Sequence, residues 1–65
     1  MDRRYIKSFA AEKGQSLGDV AQELNISQAW LSQIISGEPT SLEIAKRIEE
    51  WSNGQIPASR VLGLN

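Results

Sequence analysis

Apolar residues along the chain recur every three or four positions in short blocks, and the blocks are separated by polar runs holding glycine, asparagine or proline. That period belongs to amphipathic helices; strands alternate instead. Tyr5, Ile6, Phe9 and Ala10 form the first stripe and predict a helix over about residues 2–13, stopped by Gly14 in the left-handed conformation. Ser16 opens the next element as a hydroxyl cap, and Asp19 follows three residues on, where a carboxylate suits a helix N-terminus. Leu17, Val20, Ala21 and Leu24 then share one face, which predicts a helix over 16–24. Gly18 is a mild penalty in its first turn. Asn25 tolerates the left-handed backbone that a sharp turn demands.

Ile26 is expected to be buried between elements, and Ser27 to cap a helix over 27–36 that stops at Gly37. Leu31, Ile34 and Ile35 give that helix its inner face. Its opposite face carries Gln28, Ala29, Ser32 and Gln33, which are short, neutral and rich in hydrogen-bonding groups. Pro39 keeps GEPTS in a loop. Ser41 caps a helix over 41–52, with Leu42, Ile44, Ala45, Ile48 and Trp51 as its wide apolar stripe and a glycine stop at Gly54. Pro57 can open a short fifth helix over 57–62. The tail is too apolar to hang free, so Ile56, Val61, Leu62 and Leu64 should pack onto the bundle or against a second chain. The expected fold class is therefore all-α, a compact bundle of four to five helices in a single domain over residues 1–65.

Composition narrows the chemistry. The chain has no cysteine and no histidine, which removes disulfides, thiolate metal sites, the commonest metal ligand and the commonest general base. Gly-rich phosphate loops and nucleophile elbows are absent, and Glu49 and Glu50 point in different directions on a helix. No enzyme activity, metal or cofactor is expected. No apolar run reaches the roughly 18 residues of a membrane span, and the expectation is a soluble cytoplasmic protein. Net charge is −1, but it is unevenly spread. Residues 1–13 hold Arg3, Arg4, Lys7 and Lys13 against Asp2 and Glu12, a balance of +2. Residues 14–45 hold only Asp19, Glu23, Glu38 and Glu43, a balance of −4, and residues 46–65 return to +1.

Small, turn-permissive, apolar and apolar residues at Ala21, Asn25, Leu31 and Ile34 are the packing pattern of a helix-turn-helix. The stretch SLGDVAQELNISQAWLSQIISG resembles the helix-turn-helix of lambda-repressor-like regulators of the Cro and repressor type from phages and bacteria, with asparagine at 25 where that family more often has glycine. IAKRIEEWSNGQIPASRVLG is similar to the segment that follows the motif in small Cro-like proteins, so the likeness covers about residues 16–63. It implies a repressor that binds a palindromic operator as a weak homodimer.

Carried onto this chain, the resemblance makes Gln28, Ala29, Ser32 and Gln33 the residues that read bases in the major groove of double-stranded DNA. Gln can pair with adenine through two hydrogen bonds, and an alanine methyl can touch a thymine methyl. The recognition segment lacks lysine and arginine. Phosphate contacts would then come from helix N-termini and hydroxyls at Ser16, Leu17, Ser27, Ser36, Thr40 and Ser41. Cations would arrive from the flanking helices, from Lys7 or Arg4 and from Lys46 or Arg47. Trp30 lies at the flank of the reading helix, where it either contacts DNA or a neighbouring protein or folds back over the core. Trp51, Ile56, Val61, Leu62 and Leu64 form the candidate dimer surface. The acidic middle of the chain keeps open a second use of the fold, as an antiactivator or antitoxin module that masks another regulator.

Overall fold

A computed structural model describes residues 2–63. Among them lie five α-helices: α1 (Arg4–Glu12), α2 (Leu17–Leu24), α3 (Gln28–Ser36), α4 (Leu42–Trp51) and α5 (Ala58–Leu62). No strand occurs among the described residues. Helix α2 is the hub, packing against α1, α3 and α4; α1 also touches α3, and α5 lies on α4.

Local chemistry starts three of these helices in the same way. The hydroxyls of Ser16, Ser27 and Ser41 accept the amide N–H groups of Asp19, Trp30 and Ile44 at 3.2, 3.1 and 3.3 Å. At Ser16 the bond is reciprocal, because the Asp19 carboxylate accepts the Ser16 N–H at 3.1 Å and completes a capping box. Helices α1 to α4 also end alike. Each closes with an N–H bonded back to the carbonyl five residues earlier: Gln15 to Ala10, Ile26 to Ala21, Glu38 to Gln33 and Gly54 to Glu49. The residue just before that N–H is left-handed each time, namely Gly14, Asn25, Gly37 and Asn53. The fourth helix thus turns on Asn53, and Gly54, the expected stop, follows with positive φ as well.

The core is built from the predicted stripes: Ile6, Val20, Leu24, Leu31, Ile34, Ile48 and Val61 are almost wholly buried. Burying each such side chain stabilises the fold by roughly 1.5–3 kcal/mol. Ala21 and Ala45, both buried, let helices approach closely. Two expectations need correction. Leu42 is 55% exposed, because it is the first residue of α4 and lies outside the stripe that faces the hub. Ile26 is half-buried at the rim, since the left-handed turn at Asn25 carries the chain along the surface of the core.

The tail takes the first of its two expected courses. Ile56 and Val61 are buried in the chain's own core, and Leu62 packs half-buried against it. Ser52, fully buried, sets this up: its hydroxyl donates to Glu49 O at 3.0 Å and accepts the Ile56 N–H at 2.9 Å. Trp51 is also buried, edge-on to Phe9 at 5.2 Å, with its indole N–H donated to Gln15 Oε1 at 3.0 Å. Trp51, Ile56 and Val61 therefore have little surface left to give a second copy. Leu64, named with them above, lies outside the described residues.

Candidate nucleic-acid interface

Helices α2 and α3 are joined by the turn at Asn25, whose φ of 59° and ψ of 43° reverse the chain within a few residues. Leu31, Ile34 and Ile35 press α3 onto the core. At about 100° per residue, that anchoring turns Ala29, Ser32, Gln33 and Ser36 outward, leaving Gln28 on one flank and Trp30 on the other. All six are exposed. Trp30 retains 42% of its surface, so it is not folded wholly onto the core. Gln28 lies against α2, close over Gly18.

The electrostatics of the face are set by where the cations go. Arg3 is a clamp. Its guanidinium donates to Ile34 O at 2.6 Å, Glu38 O at 2.8 Å and Val61 O at 2.7 Å, and its backbone N–H donates to Ile35 O at 2.7 Å. Arg47 donates to Leu24 O at 3.0 Å and pairs with Glu43 at 2.7 Å. Lys13 donates to Trp51 O at 3.0 Å and sits 5.0 Å above the Trp51 ring. Three cations are thus spent on the negative C-terminal ends of α3, α2 and α4. Arg4 pairs with Asp2 at 3.0 Å, and Arg60 stacks on Tyr5 at 4.0 Å. Lys7 and Lys46 are exposed and have no hydrogen-bond or ion-pair partner among the described residues. Of the cations considered for phosphate contacts, Arg4 and Arg47 are engaged and these two lysines are not. Sequence reasoning missed Arg3 because its partners lie 31 to 58 residues away.

The hydroxyls divide similarly. Ser16, Ser27 and Ser41 accept backbone N–H groups and keep their own hydrogens to donate. Ser36 already donates to Ser32 O at 3.0 Å. The Thr40 hydroxyl oxygen is buried without a hydrogen-bond partner, so it does not present itself to a ligand, contrary to expectation. Leu17 is half-buried at the start of α2. The first turns of α2 and α4 hold the carboxylates of Asp19 and Glu43, whereas that of α3 holds none. Among the helix starts named above, the one at Ser27 is therefore the most receptive to an anion.

No group of three or more potential metal-ligating side chains occurs among the described residues, and no described helix is long and apolar enough to cross a membrane.

Comparison with known proteins bears on the class. The chain is 36% identical over 56 residues to a "Putative HTH-type transcriptional regulatory protein" of Methanocorpusculum labreanum, covering 86% of this chain and 18% of that protein. It is 40% identical over 54 residues to a protein of the same description from Methanoregula boonei, covering 83% and 17%. The chain thus spans less than a fifth of the length of these curated relatives. No family model matches it, and no solved structure does. Over most of its own length it is similar to a segment of two proteins described as HTH-type transcriptional regulators.

Proposed function

We propose that the protein is a sequence-specific DNA-binding transcriptional regulator that reads the major groove with α3. The observation that carries this is the exposed set Gln28, Ala29, Ser32 and Gln33, three of them outward and Gln28 on the flank beside α2, on a helix anchored by Leu31, Ile34 and Ile35. The relatives' description agrees with it. In its finer form the reading is a Cro-like repressor that pairs two copies on a palindrome, each reading one half-site about one helical turn from the other. The copies meet through surface other than the buried tail. Phosphates are met by the N-terminus of α3 at Ser27, by the hydroxyls of Ser16 and Ser41, and by Lys7 and Lys46.

Few neutralised phosphates imply modest affinity. The logarithm of the binding constant falls by about 0.9 per phosphate contacted for each logarithmic unit of salt, so the slope here is shallow. Selection from a random duplex pool at low salt, followed by gel shift, tests the proposal. A palindromic motif should emerge, and Gln33→Ala should abolish preference at one base pair per half-site while the protein stays folded. Failure to enrich any sequence refutes it.

A second reading draws on Trp30 and the −4 balance of residues 14–45. In that case the same face masks a basic protein partner, as an antiactivator or antitoxin would, with Trp30 as its anchor. Under this reading Trp30→Ala abolishes partner binding, and DNA selection returns nothing.

A further inference from the structure

Gly18 has no backbone reason to be glycine. It is absent from the positive-φ positions and lies in the first turn of α2, where glycine weakens a helix. Space gives the reason. A Cβ at this position would sit 3.3 Å from Gln28 Oε1 and 3.9 Å from Gln28 Cδ, closer to the amide end than side chains normally pack. The Ser16 hydroxyl would be 3.7 Å away, an ordinary contact that leaves the cap intact. The Gln28 side chain has no hydrogen-bond partner among the described residues, and its amide oxygen lies beside the bare backbone of Gly18.

We propose that Gly18 is a specificity-determining positioning residue: by lacking a side chain it lets the Gln28 amide lie close against the start of α2, and so biases the direction in which Gln28 presents its donor and acceptor to a base. The inference rests on the reading of α3 as the base-reading helix. A Gln–adenine pair needs the amide oxygen and nitrogen in the base plane together, and a few tenths of an ångström at the amide end tilt that plane. Because the displaced atoms are the free end of a flexible side chain, a methyl at 18 shifts Gln28 without disturbing the core.

Four proteins decide the matter: wild type, Gly18→Ala, Gln28→Ala and the double variant, each used for selection from a random duplex pool and for thermal unfolding. Gly18→Ala should unfold at an equal or higher temperature than wild type. Its base preference should fall about tenfold, within the range a bidentate contact supplies, at the base pair whose preference Gln28→Ala removes, and nowhere else. In the Gln28→Ala background the second substitution should change nothing further. In the free protein, the Gln28 side-chain amide resonances should move in Gly18→Ala. A Gly18→Ala protein with wild-type preference, or one weakened equally at all positions, overturns the proposal while leaving DNA reading intact. An unmoved Gln28 amide, or an effect of Gly18→Ala that persists without Gln28, also overturns it. A wild type that selects no sequence overturns both readings.

Discussion

The α2–turn–α3 unit and the seam where the two ends of the chain meet are held by opposite means. In the first, the controlling bonds are local. Ser16 and Ser27 each reach three residues ahead, and Asn25 makes the turn within its own neighbourhood. In the second, Arg3 gathers carbonyls 31, 35 and 58 residues away, and Tyr5 lies under Arg60. The starts of α2, α3 and α4 are served by nearby serines, whereas the negative ends of the same helices receive cations from distant parts of the chain. The start of α3 and the turn before it are thus set by residues within a few positions, while the far ends of α2 and α3 depend on distant cations. The price is charge: cations committed to holding helix ends together do not face a ligand.

The contrast can be broken most severely in the core beneath α3. Leu31 is fully buried and plugs α3 into the core. Leu31→Ala should cost about 3 kcal/mol by transfer and cavity terms, against a total of roughly 3–10 kcal/mol for a domain of this size, measured by urea denaturation. The seam comes next. Arg3→Met leaves three carbonyls without their charged donor, and bonds to charged groups contribute about 1.5–3 kcal/mol. A loss of about 2 kcal/mol is expected from thermal and urea unfolding, and Arg3→Lys should recover less than half because an ammonium cannot reproduce the guanidinium fork. Full recovery by lysine would show that charge, and not the shaped bridge, closes the seam.

Local features of the motif should cost less each. Ser27→Ala removes the cap of α3 for about 1 kcal/mol. At the turn, Asn25→Ala should lose about 1 kcal/mol because alanine resists the left-handed region, while Asn25→Gly should be near neutral. Equal effects of the two substitutions, read by thermal unfolding, would mean that Asn25 acts through its side chain. The smallest effect is expected at Trp30, 42% exposed. Trp30→Ala should change stability by no more than about 0.5 kcal/mol, so any larger loss of binding to DNA or protein belongs to the interface itself.

Much of the motif was legible in the sequence because its determinants are short-range. The serine caps, the partnership of Ser16 with Asp19, the left-handed Asn25 and the buried Leu31, Ile34 and Ile35 follow from residue type and spacing, and the structure has each of them. The outward position of Ala29, Ser32 and Gln33 follows from the same period, whereas Gln28, expected beside them, sits on the flank against α2. Other assignments were out of reach. Trp51, Ile56 and Val61 read equally well as core or as interface, since periodicity gives the side of a helix that is apolar but not what covers it. Leu42 fits the stripe by residue type, but at about 100° per residue it falls well off the arc of Ile44, Ala45, Ile48 and Trp51. Gly18 looks like a defect until Gln28 is seen lying over it.

By itself, then, the sequence determined the helices, their starts, the sharp turn and the face of α3 that points away from the core, because each depends on backbone chemistry within a few residues. Only the tertiary structure decided which cations stay uncommitted, where the tail goes and what lies over Gly18. Those outcomes depend on carbonyl ends, ring faces and open space that come together when distant segments pack, and no local rule encodes that meeting.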